Sequence, residues 1–268
     1  MRRIPSLILL LASTATAAAA QGDRASRFMD NCRHNGWGDD PRFCETRNFT
    51  IAAGRSLNVD GRANGGITVH GWDKAEVQVV AMIQANAESM SEAQTIAKGV
   101  NVLTNGAEIR AEGPDMGRRQ SWSVSYEIWA PRQTDLTLTA NNGGISVDAM
   151  TSKMQLETEN GGLTLSDLAG EVHGRTVNGG VTAELTGTRW IGAGLDLRTS
   201  NGGVHLTIPS DYSANLETGT VNGHLNVDFP VTIQGRLSRT REFTTALGAG
   251  GATIRATTTN GGVTIRRR

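Results

Sequence analysis

The stretch TANNGGISVDAMTSKMQLETENGGLTLSDLAGEVHGRTVNGGVTAEL, residues 139–185, carries one tripeptide three times, at Asn142, Asn160 and Asn178. Outward from it, Asn-Gly-Gly also begins at Asn64, Asn201 and Asn260, and a variant, Asn-Gly-His, at Asn222. From Asn142 onward the intervals are 18, 18, 23, 21 and 38 residues, and 38 reads as two steps of 19. A fixed period of about 20 marks a repeat architecture, in which each unit buries its apolar face only against its neighbours.

The residues around each Asn fall into phase. Three after it stand Ile67, Ile145, Leu163, Val181, Val204, Leu225 and Val263, and five after it Val69, Val147, Leu165, Ala183, Leu206, Val227 and Ile265. Six before it stand Leu136, Met154, Val172, Leu195, Leu216 and Ile254. Apolar residues two apart, separated by Thr, Ser, Glu, Asp, His and Arg, describe strands with one buried and one wet face. The expected class is all-β: a repeat β-solenoid, single-stranded β-helix-like, in which each Asn-Gly-Gly is the corner of a coil. Asn side chains at one phase could then form a hydrogen-bonded ladder. A meander of β-hairpins is the alternative, because Asn-Gly between alternating runs is also a hairpin signal. At this period the chain predicts about 11 coils in a rod of about 50 Å.

The first half is less regular. Asn105-Gly106 lies near two steps from both Asn64 and Asn142, but its flanking Val100, Val102 and Ile109 are out of phase. Val77, Val79, Ala81 and Ile83 alternate as a strand, as do Trp122, Val124, Tyr126 and Ile128. Between them, residues 87–98 (AESMSEAQTIAK) read as a short helical insertion capped by Ser89 or Ser91. The segment GPDMGRR, residues 113–119, reads as a loop.

Residues 1–20, MRRIPSLILLLASTATAAAA, have the basic start, apolar middle and small-residue end of a secretory signal peptide. The expected organisation is a signal peptide at 1–20, a disulfide-stapled segment at 21–48 and the repeat domain at 49–268. No Cys lies near the cleavage site, so the reading includes no lipid anchor, and no later segment has the length of a membrane span. The predicted location is periplasmic or secreted. The chain holds 26 basic and 26 acidic residues; without Arg2 and Arg3 the balance is 24 against 26. That gives no basic stripe for nucleic acid. In an exported protein the two cysteines, Cys32 and Cys44, are expected to form a disulfide. A redox or metal pair would call for closer spacing, and only His34 lies nearby.

The Asn-Gly-Gly repeats, the segment SWSVSYEIWAPRQTDLTLTANNGGISV (121–147) and the CRHNGWGDDPRFCETRNFTI lead (32–51) resemble the bacterial "putative adhesin" domain-of-unknown-function family. The resemblance covers the chain from about Cys32 to Arg268. It implies a β-solenoid of exported or envelope-associated proteins and supplies no catalytic motif.

Candidate chemistry is sparse. His205 and His224 belong to successive repeats and could approach, but no carboxylate or Cys repeats at their phase, so no metal site is predicted. Asp196 and Glu217, each five before its Asn on successive repeats, are the one candidate carboxylate pair. Trp72, in HGWDK, and Trp190, in the loop TRWIGAG, are candidate ligand contacts; the other reading has each indole closing a coil edge. Arg266, Arg267 and Arg268 are expected to protect the strand edge of a last coil, or to meet an anionic surface. No cofactor is predicted. The expected function is non-enzymatic: an envelope-associated, adhesin-like binding or structural protein whose partner is an envelope glycan or protein. The rivals are a periplasmic envelope-stress or signalling component that binds a protein, and a polysaccharide-acting enzyme on a β-helix scaffold.

Overall fold

A computed structural model describes residues 25–32, 41–229 and 241–268. The expected signal peptide, Trp37 and His34 lie outside the described residues. Among the described residues, twenty strands form two ten-stranded sheets. The first runs β1(Arg42–Ala52), β4(Glu76–Asn86), β7(Ser121–Pro131), β3(Ile67–Trp72), β9(Ile145–Asp148), β11(Leu163–Ser166), β13(Val181–Glu184), β15(Val204–Ile208), β20(Val263–Arg267), β17(Leu225–Val227). The second runs β18(Arg241–Leu247), β16(Ala214–Asn222), β19(Thr253–Asn260), β14(Gly194–Asn201), β12(Ala169–Asn178), β10(Thr151–Thr158), β8(Asp135–Ala140), β2(Ser56–Asp60), β6(Glu108–Glu112), β5(Asn101–Asn105).

Each Asn-Gly-Gly turn joins a strand of the second sheet to a strand of the first, so the turns do not close hairpins. The meander is excluded at the repeats, where neighbours within each sheet are parallel and in register. The inward rows are the predicted ones. Leu136, Met154, Val172, Leu195, Ile254 and Leu216 align across the second sheet, and Ile67, Ile145, Leu163, Val181, Val204 and Val263 across the first. All are at most 3% exposed. At about 25 cal/mol per Å² of apolar surface, this seam between the sheets is the main source of stability.

The corners carry three further ladders. Asn side chains hydrogen-bond in the order Asn64, Asn142, Asn160, Asn178, Asn201, Asn260, Asn222, at 2.8–3.1 Å. Two residues before the Asn, inward-facing Thr158, Thr176, Thr199, Thr258 and Thr220 donate to the carbonyls of Gly143, Gly161, Gly179, Gly202 and Gly261. The residue after the second glycine donates its amide to the neighbouring level, as in Leu163 to Gly180 at 3.0 Å. The first glycine permits this closeness. A Cβ on Gly161 would stand 2.2 Å from the Gly143 oxygen, and on Gly179, Gly202 and Gly261 2.0 Å from the preceding glycine oxygen. At the second glycine the contact is looser, 3.1 Å for Gly162.

Spatial order departs from chain order. The level β19–β20 enters between β14–β15 and β16–β17, so Asn260 sits between Asn201 and Asn222. The 38-residue interval is therefore not two steps along the stack. Its chain forms β18, antiparallel on β16, and then returns to the inserted level. Asn105-Gly106 is likewise not a level. It closes the antiparallel β5–β6 hairpin, with Gly106 at φ 62°. These detours leave fewer levels than the period alone predicts. They also overturn edge protection by the terminal arginines: β20 is interior, and Arg268 pairs with Glu184.

The first half adds a cover. β4 lies antiparallel on β7, and β1 on β4. The helix α2(Met90–Gly99) starts three residues later than predicted, with Ser89 accepting from the Glu92 amide. It buries Ala93, Ile96 and Ala97, and Arg47 of β1 donates to the Ala97 carbonyl at 2.9 Å. A second helix, α1 (residues 25–32), was not foreseen; Ala25 packs beside Trp72, Val80 and Trp129. Cys32, at its end, is bonded to Cys44 in β1, which already begins at Arg42 within the segment expected to precede the sheets.

The glycine asymmetry predicts a split in stability. Gly161→Ala should lower the unfolding free energy by at least about 2 kcal/mol through overpacking, and Gly162→Ala by less than about 1 kcal/mol. Urea denaturation monitored by circular dichroism checks both.

Candidate functional site

The outer face of the second sheet forms an open groove of about 1260 Å³ over β10, β12, β14, β19, β16 and β18. Strand alternation places polar side chains there, and parallel register aligns them in rows. One row reads Gln155, His173, Asp196, Arg255, Glu217 and Thr244. The next reads Glu157, Arg175, Arg198, Thr257, Gly219 and Glu242.

Asp196 and Glu217 both lie in this groove, but they are not neighbours. The inserted level puts Arg255 between them. Arg255 donates to Glu217 Oε2 from Nε at 2.8 Å and approaches Asp196 Oδ2 at 3.4 Å. Arg198 grips Asp196 with two parallel hydrogen bonds of 2.9 and 2.7 Å. Burial acts to raise the Asp196 pKa, but the Arg198 and Arg255 guanidiniums outweigh it and hold the carboxyl below its usual range. A general acid must keep its proton near neutral pH. Asp196 is built for the opposite state. The carboxylate-pair reading is thus replaced by a charge-alternating strip. Arg175, exposed beside Arg198, has no ion-pair partner among the described residues.

The other sequence candidates fare as follows. His205 aligns with Thr264, and Thr264 with Asn226, so the inserted level separates His205 from His224. Among the described residues no group of three or more His, Cys, Asp or Glu is placed to hold a metal. Trp72 and Trp190 do not present ring faces to a ligand. They are 8% and 6% exposed, and their Nε1 atoms donate to the carbonyls of Glu76 and Gly170 at 2.9 Å. Trp190 packs into the main core, its lengthened loop folding inward, and Trp72 into the separate cluster with Val80, Trp129 and Ala25. Sequence reasoning missed Arg255 and Arg198, because their significance depends on the order of levels.

A second charged cluster lies on the outer face of the first sheet. His70 Nδ1 meets Asp148 at 2.5 Å and Nε2 meets Glu127 at 3.1 Å, with the Trp129 ring 5.2 Å away. Burial alone would lower the His70 pKa, but hydrogen bonds to Asp148 and Glu127 dominate and raise it to about 9. Both ring nitrogens then donate, one to each carboxylate.

A family profile, Toastrack DUF4097, matches residues 54–266. The chain belongs to this family. No curated protein matches it. Similar solved structures include a "putative cell adhesion protein" from Clostridium sporogenes, with 9% identity and a TM-score of 0.47 over 84% of this chain and 100% of that one. A "putative adhesin" from Bacteroides fragilis has 11% identity and a TM-score of 0.41, over 84% and 97%. A "putative lipid binding protein" from Parabacteroides distasonis has 12% identity and a TM-score of 0.31, over 84% and 96%. Among the described residues of this Toastrack chain, no helix is long and apolar enough to cross a membrane.

The His70 cluster gives a pH prediction. Its folded pKa lies above the unfolded value of 6.5, so folding favours the protonated ring. The contribution is complete below about pH 6.5 and lost as pH rises through about 9. Stability should fall across that window, by about 1–3 kcal/mol. His70→Gln should flatten the fall, as read from urea midpoints at successive pH values.

Proposed function

We propose that this protein is a non-catalytic binding module of the bacterial envelope and that the groove on the second sheet receives an extended polar ligand, an envelope glycan strand. We read its levels as the coils of a β-solenoid, a rigid platform on which side chains stand at strand spacing. The cysteine bond of the N-terminal segment and the signal-like residues 1–20 favour export to the periplasm or beyond.

The observation that carries the reading is the strip Arg198–Asp196–Arg255–Glu217. Its planar groups are hydrogen-bonded to one another. Such groups are pre-ordered, so a ligand hydroxyl meets donors and acceptors already in place. Arg175 and Thr257 extend the strip with further donors. The same ion pairing keeps Asp196 ionised and so removes it as a general acid.

Full-length mature protein should co-sediment saturably with peptidoglycan, and Arg175→Ala combined with Arg198→Ala should weaken binding about tenfold while leaving the melting temperature within a few degrees. Binding that ignores both substitutions, or binding to outer membrane or lipopolysaccharide alone, contradicts the proposal.

A further inference from the structure

The charged groups of the groove divide into those that hold one another and those with bonds left to give. Asp196, Arg198, Arg255 and Glu217 are joined among themselves. In the row that contains Arg198, Glu157 of β10 and Arg175 of β12 stand beside it in register. Strands lie about 4.8 Å apart, so the three residues span about 9.6 Å. All three line the groove and are exposed, and the Arg198 side chain keeps 56% of its surface in solvent. A ligand in the groove can therefore reach each of them.

Their bonding capacity is unspent. The Glu157 carboxylate and the Arg175 guanidinium make no hydrogen bond or ion pair among the described residues, although they are cross-strand neighbours. Such a pair, if it closes in solution, contributes little, because water screens both charges. A ligand opens it at small cost. Arg198 gives Nε and Nη2 to Asp196, and Nη1 remains over. The Asp196 grip also fixes the plane of the Arg198 guanidinium, so one cation of the row is held in position before a ligand arrives.

The order of charge names the ligand. Along the row it runs negative, positive, positive. A polyanion would meet Glu157, and across the groove Arg175, Arg198 and Arg255 stand against four carboxylates, Glu157, Asp196, Glu217 and Glu242. A polycation would meet the two adjoining arginines. The pattern fits a group that carries both signs close together. An ammonium is a compact donor that one carboxylate receives. A carboxylate is planar and takes paired N–H groups from guanidiniums. Arg175 and Arg198 side by side repel each other, and an anion shared between them removes that cost.

We infer that Glu157, Arg175 and Arg198 form a subsite for a zwitterionic amino-acid group, its ammonium on Glu157 and its carboxylate on Arg175 and Arg198 Nη1. The inference rests on the glycan reading of the groove and narrows it: the strand bears short peptides with free amino and carboxyl groups, as peptidoglycan does. The sugar hydroxyls take the strip beside this row, and the peptide end takes the row itself.

Co-sedimentation of full-length mature protein with three forms of peptidoglycan tests this: native, acetylated at its free amines, and amidated at its carboxylates with methylamine. Salt of about 0.15 M confines the comparison to charges within about 8 Å. Each modification should weaken wild-type binding about fivefold to tenfold. Glu157→Gln should lose the response to acetylation and keep the response to amidation. Arg175→Gln should do the reverse. Both positions are exposed on a sheet face, and an unchanged circular dichroism melt confirms each fold. Modified forms that bind wild type as native peptidoglycan does overturn the subsite and leave the glycan reading standing. Variants that respond to both modifications as wild type does also overturn it, since the charged groups would then act elsewhere. If native peptidoglycan does not bind at all, the subsite and the glycan reading fall together.

Discussion

At each Asn-Gly-Gly corner from Asn142 onward the first glycine lies against the carbonyl oxygen of the glycine one level away, in a space that holds no Cβ. This contact fixes how near the levels come and therefore the register of everything beside the corner. Thr hydroxyls two residues earlier can reach those same carbonyls only at this spacing. The Asn amides outside link in one line for the same reason. Each exposed amide bond contributes little on its own. Together the ladders exclude slipped pairings, since a one-residue slip would turn the apolar rows outward.

A constraint that treats every corner alike does not say which corners are neighbours. The chain uses that freedom once in its second half. It builds β16–β17, turns back through β18, and places β19–β20 in the gap below. Arg255 arrives between Asp196 and Glu217 through this insertion. Two carboxylates otherwise one level apart would repel; with Arg255 between them they become the middle of an alternating strip. The groove is thus a product of topology as much as of composition.

The parts legible in the sequence were those governed by local period. Alternation around each Asn gave the two inward rows, and the seven Asn residues gave the ladder. Ser89 was readable as a helix cap. The Thr ladder was equally legible, as Thr158, Thr176, Thr199, Thr220 and Thr258 share one phase, yet it was not singled out. What could not be read depends on spatial order. An interval of 38 residues fits two successive repeats or one excursion, and periodicity does not separate them. The partnership of Asp196 with Arg255 spans that excursion. Trp72 and Trp190 misled for another reason: a tryptophan in a polar loop gives no local sign of whether the loop folds inward.

Within the Toastrack family fold, then, repeat corners set the spacing of the levels, and the inserted level, a departure from the repeat, shapes the groove. The inserted level is the claim on which the groove rests. Cysteine pairs at outward positions test it, with the two native cysteines already bonded to each other. In the described order, residues 205 and 264 face each other on adjacent strands, about 4.8 Å apart, whereas 205 and 226 are about 9.6 Å apart. Under mild oxidation, His205→Cys with Thr264→Cys should form an intramolecular disulfide, and His205→Cys with Asn226→Cys should not. Bonding in the second pair and none in the first would place β16–β17 directly on β14–β15 and contradict the account.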